Sequence, residues 1–413
     1  MHPRHKCPLF VLWNVAARFS LGNTTTFMDA LITDGNQRAA LAAARSLVQA
    51  GYDVGVAAGS RLSLAGVSRG VRRLRLSTDS LADPDAYAAE IDGLVRQLGV
   101  RVLLPVTDAS VEAVLMGVRH VPSTANLPFP PLETFREASD KAAMLDRARA
   151  AAFAVPETVR LDGPHAELPG ADFFPAVLKP HRSIVQSGMG GEHLAVRFAN
   201  SRDECRQALA AFPLAAFPIL LQRRVRGAGE GLFVLRWNGR VIAEFAHRRL
   251  REKPPEGGVS VYRESIAPDP ELVAAGRRLL DELDWQGVAM IECKRDAVTG
   301  RHVFMELNGR LWGSLQLAID AGVDFPALLV ACALDQDVAA VTRYRVGVRS
   351  RWFWGDVDHL YLRLRNGEGA AGKLSAVREF LRIDPRRNRE EIWRWRDPAP
   401  FLLESLQQLG FAR

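Results

Sequence analysis

Met290-Ile291-Glu292 and Phe304-Met305-Glu306-Leu307-Asn308-Gly309-Arg310 bracket a polar turn around Asp296–Gly300. Each segment alternates as a strand does, so the spacing predicts two antiparallel strands, Val288–Arg295 and His302–Leu307. A turn centred near residue 299 sets Glu292 directly opposite Glu306, and it puts Asn308 and Arg310 on the face of Glu306. Opposed side chains lie roughly 4.5–5.5 Å apart at Cβ, where two carboxylates repel unless a cation separates them. Two carboxylates and an amide oxygen make a hard, all-oxygen set suited to Mg²⁺ completed by phosphates. Taken alone, Glu-x-Asn is equally the pattern of a solvated hairpin with scattered charge.

The surrounding sequence favours the metal reading. Ala176-Val177-Leu178-Lys179-Pro180 is a strand pattern carrying a lone lysine, within a strand expected over Phe174–Pro180. Ser187-Gly188-Met189-Gly190-Gly191 follows, a Gly-rich loop over 186–191 whose backbone N–H groups can cradle phosphate. Lys141 stands on a helix expected from Leu132 to Ala152, and Leu220-Leu221-Gln222-Arg223-Arg224-Val225-Arg226-Gly227 is an apolar strand ending in a glycine turn before Glu230. The chain holds only six lysines against 48 arginines, so a lysine inside each of two such motifs is informative.

Upstream, strand and helix patterns alternate: Ala30–Gly35, Gln37–Gly51, Asp53–Ala58, Val71–Leu76, Pro84–Leu98 and Val100–Val106. That order predicts a small parallel α/β domain without a GxGxxG dinucleotide loop. Pro122–Pro131 reads as a linker into a mixed α+β region, where Asn238-Gly239 is the strongest hairpin signal and Glu271–Leu283 a helix. Gly66-Val67-Ser68-Arg69-Gly70 has nucleophile-elbow spacing, but no strand leads directly into it.

The chain has 413 residues, is 48% hydrophobic and 24% charged, and carries a formal charge of +7. Fifteen basic and nine acidic residues lie beyond residue 342, so nearly all of that excess belongs to one terminal segment, which also holds half of the eight tryptophans. Interleaved Trp and Arg are compatible with an anionic partner such as RNA or a membrane surface. The favoured reading is that these tryptophans pack the segment on the core while the arginines face solvent. Four cysteines without ligand spacing suggest neither a disulfide framework nor a zinc site and suit a reducing cytoplasm. No apolar run reaches membrane-spanning length.

Taken in order, Lys141, Lys179, the Gly-rich loop, Gln222–Gly227, Glu230, Glu292 and Glu306-x-Asn308-x-Arg310 resemble the ATP-grasp ligases, over roughly residues 29–340. The resemblance is nearest to the carbamoyl-phosphate-synthase-like, predicted carboligase branch that includes D-aspartate ligase-type enzymes. It implies an α/β and α+β architecture: a Rossmann-like pre-ATP-grasp domain (29–125), an ATP-grasp domain (132–340, lid about 173–227) and a small basic C-terminal module (341–413), after an extension (1–28) expected to be unstructured or a misassigned start.

The resemblance also implies roles. Lys141 and Lys179 would grip the ATP phosphates, with Ser187, Gly188, Gly190 and Gly191 as a lid. Gln222 and the backbone of Arg223 and Val225 would hold adenine, and Glu230 the ribose. Glu292, Glu306 and Asn308 would bind Mg²⁺ (or Mn²⁺), and Arg310, with Lys179 and Asn308, would serve the transferring phosphoryl group. His247, Arg249 and Arg251 are candidates for a substrate carboxylate or for the ATP phosphates. The implied activity is ATP-dependent carboxylate–amine or carboxylate–thiol ligation through an acyl phosphate, with small-molecule carboxylate and amine substrates, a cytoplasmic setting, a homodimer as an open option and no nucleic acid. A silent ATP-binding sensor, or a protein acting through its tail on an anionic partner, are the competing classes.

Overall fold

Strands Val71–Arg75, Val54–Ala58, Ala30–Ile32 and Val102–Leu104 form, in that spatial order, an all-parallel sheet flanked by helices Arg38–Gln49, Pro84–Leu98 and Asp108–His120. This is the α/β domain expected from the alternation. The computed structural model describes residues 27–120, 123–187, 190–366 and 369–411, so residues 1–26 and Gly188 of the expectations above lie outside the described residues. The Ala-rich face of helix Arg38–Gln49 is buried, and it joins Phe233, Leu315 and Phe325 of the second half in one shared core. Burying each large apolar side chain contributes roughly 1.5–3 kcal/mol, so the two halves are held face to face.

The helix expected from Leu132 to Ala152 is two helices, Leu132–Ser139 and Lys141–Ala150. Asp140 breaks it: its backbone is extended and its carboxylate accepts hydrogen bonds from the Ala142 and Ala143 N–H groups, an N-cap that starts the second helix.

Two antiparallel sheets follow. The smaller has the order Thr158–Leu161, Ile219–Arg223, Ala176–Pro180, Arg197–Ala199. Beside it, Ile184–Ser187 pairs with Gly190–His193, so the ends of the expected Gly-rich loop are a β-hairpin. Gly191 donates its N–H to the Leu81 carbonyl at 2.7 Å, tying that hairpin to the N-terminal domain.

The larger sheet has seven strands in the order His302–Asn308, Gly287–Asp296, Gly227–Trp237, Arg240–Lys253, Val259–Ile266, Arg349–Arg351, Asn388–Glu390. At the tight turn between the third and fourth, Asn238 and Gly239 both have positive φ (49° and 76°), as that dipeptide predicts. One face of the sheet, with Leu232, Val234, Ala289 and Ile291, is covered by helix Pro270–Glu282 through Leu272, Ala275 and Leu279. The other face looks toward the smaller sheet and the N-terminal domain.

The last two strands come from residues 341–413, which therefore extend the main sheet. Asp356, fully buried, accepts from Arg251 at 2.6 and 2.7 Å and from Arg351 at 2.6 Å, which binds helix Phe353–Arg365 to the sheet. Removing one partner from such a buried cluster costs about 3–5 kcal/mol. Trp352, Trp354 and Trp393 pack inward: Trp352 lies under the Arg38 guanidinium (4.0 Å) and donates to Glu404, Trp354 donates to Ser405, and Trp393 meets Phe401. Trp395 is 86% exposed. Ser68 of the elbow-like motif donates to Asp397 at 2.6 Å, a tie to this segment. Among the described residues no single helix is long and apolar enough to cross a membrane; one bent pair, Leu315–Ala321 with Phe325–Ala333, passes by composition and lies in the core.

Candidate functional site

Glu292 pairs with Glu306 across the antiparallel ladder, as the turn arithmetic requires. The ladder slips after Glu292, where Cys293 faces Phe304, so Met305 is the extra residue of a bulge. Met305 turns its sulfur to Lys179, whose Nζ lies 3.8 Å from Sδ.

The same row continues across the sheet, Glu292 opposite Gly231 and Gly231 opposite His247. Glu292, His247, Glu306, Lys179, Gln222, Arg223, Val225, Arg249, Asn308 and Arg310 line a cavity of about 420 Å³ between the two antiparallel sheets. That volume suits a small-molecule site. Lys141 lies behind one wall, in a small recess of about 40 Å³ shared with Glu306, Asn308 and Asp108.

The electrostatics inside are tight. Arg249 sits between Glu292 (2.5 Å) and Glu252 (3.1 Å). Lys141 is 3.9 Å from Glu306 and donates to Ser183 at 2.8 Å. Asn308 donates to Glu306 at 3.1 Å, and Arg310 pairs with Asp108 at 2.8 Å. Burial alone would raise the Glu306 carboxyl, but Lys141 and Lys179, then Asn308, outweigh it and hold Glu306 below the usual carboxylate range. Burial pushes Glu292 up, against the pull of Arg249 and with Glu306 beside it. Lys179 is lowered by burial and by Lys141, partly countered by Glu306. It forms no ion pair among the described residues, only the thioether contact. His247 is driven well below its ordinary value by burial and then by Arg249 and Arg263, so its imidazole is neutral, and neither ring nitrogen has a hydrogen-bond partner among the described residues.

Two expected residues lie elsewhere. Glu230 falls opposite Cys293, on the helix-covered face, and its carboxylate meets His302 Nε2 at 2.8 Å; it is not among the residues that line the cavity. Arg251 is taken by Asp356 and Tyr262 because a bulge between Arg249 and Arg251 breaks the strand's alternation, so Arg251 no longer shares a face with Arg249. Ser187 pairs with Gly190 and Gln186 with Gly191 in the hairpin described above. Gln222 is buried, with its amide on Thr158 (3.3 Å), and the Arg223 N–H is donated to Glu157, leaving that peptide its carbonyl. Arg38, Arg263, Trp312 and Ser260 also line the cavity and were missed in the sequence, since only long-range packing brings them there.

Among the described residues no group of three His, Cys, Asp or Glu could hold a metal. The oxygen set is two carboxylates and one amide, with lysines at its edge. Such a set fits a magnesium ion that completes its shell with phosphates and water, and it does not fit a zinc centre.

No curated protein sequence matches the chain. Residues 218–354 match a family model described as ATP-grasp in the biosynthetic pathway with Ter operon. Among solved structures, an L-amino acid ligase from Bacillus licheniformis shares 16% identity at a TM-score of 0.58, covering 75% of each chain. N5-carboxyaminoimidazole ribonucleotide synthetase from Thermus thermophilus shares 17% at a TM-score of 0.55, covering 78% of this chain and 81% of that one. The biotin carboxylase domain of 2-oxoglutarate carboxylase from Hydrogenobacter thermophilus, in complex with MgADP and bicarbonate, shares 16% at a TM-score of 0.58, covering 78% and 73%. The matched segment spans the strands that carry Glu292, Glu306 and Asn308, and the architecture shared with these structures is the ATP-grasp fold.

Proposed function

We propose that the protein is an ATP-dependent ligase that joins a carboxylate to an amine, or to a thiol, and releases ADP and phosphate. The observation that carries this reading is Lys179, a half-buried ammonium on the cavity wall whose one hydrogen-bond contact among the described residues is a thioether. A partly desolvated cation without a strong partner favours an anionic ligand, and a phosphate oxygen is one.

Lys179, and Lys141 across the Glu306 wall, would orient the phosphates, and Gln222 with the Val225 backbone would hold the base. Mg²⁺, held at Glu292, Glu306 and Asn308, would supply charge neutralisation at the phosphates, and Mn²⁺ shares its preference for oxygen donors. Arg310, oriented by Asp108, would steady the negative charge of the transferring group. A substrate carboxylate oxygen attacks the γ-phosphorus, the bond to the bridging oxygen breaks, and ADP leaves with that electron pair. The amine then attacks the acyl carbon of the acyl phosphate, losing a proton as phosphate departs. Enclosure between the two sheets keeps water from the intermediate.

The test is an ADP-release screen with Mg²⁺ over amino acids and other small carboxylates, each with and without an amine pool. ADP formation dependent on one carboxylate and accelerated by one amine is expected. Tight ATP binding without ADP release for any pair would favour the sensor reading instead.

A further inference from the structure

The cavity has a second polar end that the ATP-directed residues leave unused. Arg263 faces Arg249 across neighbouring strands, and its own strand, Val259–Ile266, lies three strand spacings from that of Glu292. At roughly 4.8 Å per spacing the two ends are about 14 Å apart. Between them Gly231 and Gly229 leave room on this face for the Phe233 ring and the Arg249 side chain, which an added Cβ would meet at 2.9 and 2.8 Å.

At that far end Arg263, fully buried, donates to the Ser260 carbonyl (2.6 Å) and pairs with Glu391. Arg38 takes the same Glu391 at 2.9 and 3.0 Å. Two guanidiniums therefore share one carboxylate, with Glu404 near Arg38 and Glu390 near Arg263 as further acidic neighbours. Arg263 Nε, Trp312 Nε1 and Ser260 Oγ are all buried without a hydrogen-bond partner among the described residues, as are both nitrogens of the neutral His247. Buried donors left unsatisfied cost about 1–3 kcal/mol each, a cost that a ligand rich in acceptors removes. Arg Nε and Trp Nε1 can only donate, so the matching group is an acceptor, and the guanidiniums of Arg38 and Arg263 beside them favour an anionic one.

We infer that this end of the groove is a second anion subsite, and that the carboxylate substrate is a dianion whose second carboxylate or phosphate is held by Arg38, Arg263, Trp312 and Ser260. The inference rests on the ligase reading for the identity of the reacting group at the other end. The chemistry shared by both sources is a compact, acceptor-rich anion separated from the reacting carboxylate by a short chain.

Calorimetric titration of the full chain, with and without Mg²⁺ and a non-hydrolysable ATP analogue, tests it. The probes are succinate and glutarate, 3-phosphoglycerate, and butyrate as the monoanion. A dicarboxylate or the phosphocarboxylate is expected to bind at least tenfold tighter than butyrate, and whichever wins identifies the source. Trp312→Phe, which keeps the ring, Arg38→Gln and Ser260→Ala should each cut that preference about fivefold, with the nucleotide analogue bound as in wild type. Ser260→Ala removes one hydroxyl from the core, so the inference stays testable where the larger changes harm folding. Equal affinity for butyrate and the dianions, or a preference that survives all three variants, overturns the subsite. A chain that prefers dianions and ignores the nucleotide supports the subsite while sinking the ligase reading.

Discussion

Glu306→Gln isolates the metal assignment, because it keeps the side chain's size and removes one charge. Glu306 is held ionised by Lys141 and Lys179 against the effect of burial, so the wild-type carboxylate is present near neutrality. A unit charge about 4 Å from a divalent cation is worth about 8 kcal/mol at the effective dielectric of ~20 that suits such sites, and the amide oxygen of glutamine, still a ligand, retains about half of it. Glutamine also removes the repulsion with Glu292, which returns part of this and leaves about 2–4 kcal/mol. The Mg²⁺-dependent part of ATP affinity should therefore fall roughly 30- to 800-fold. Fluorescent-nucleotide titration at fixed ATP analogue and varied Mg²⁺ reads this directly and needs no knowledge of the acceptor. If Glu306→Gln binds the nucleotide with the wild-type Mg²⁺ dependence, the metal is not held by this pair and the reasoning fails.

Glu230→Gln should leave nucleotide affinity within about twofold, because its carboxylate faces His302 on the helix-covered side; the same change should lower stability by about 1–3 kcal/mol in urea unfolding. A large loss of ATP binding at unchanged stability would restore Glu230 to the ribose. The Glu390 carboxyl is raised to about 7, first by burial and then by Glu404, against the Phe353 N–H and Arg351. The folded state thus binds a proton that the unfolded chain has released, so this group's contribution declines as pH rises from about 4.5 through about 7. Thermal unfolding of Glu390→Gln should show a smaller fall between pH 5 and 7.5 than wild type, by about 1–3 kcal/mol; parallel curves would count against it.

What could be read from the chain and what could not divides by distance along it. The pairing of Glu292 with Glu306 depends on one local turn, so arithmetic about residue 299 suffices. The face of Glu230 depends on the register between strands some sixty residues apart, and a slip of one reverses it. Arg251 was misplaced for a related reason: counting by twos assumes an unbroken ladder, and the bulge after Arg249 violates that. Asp140 carried a visible signal, a capping residue inside an apparently continuous helix. Arg38, Arg263 and Trp312 carried none. Each is an ordinary residue on its own element, and only the packing of helix Arg38–Gln49 against the large sheet makes them neighbours.

Strands Arg349–Arg351 and Asn388–Glu390 have a consequence for handling the protein. Without them, strand Val259–Ile266 would be left with a row of open backbone donors and acceptors, the template on which foreign strands add. Two three-residue strands carrying Arg349, Arg351, Arg389 and Glu390 close that side with a short, charged border. Shortening the chain before residue 349 would thus leave a protein that self-associates through its sheet, and it would also strip Glu391 from between Arg38 and Arg263.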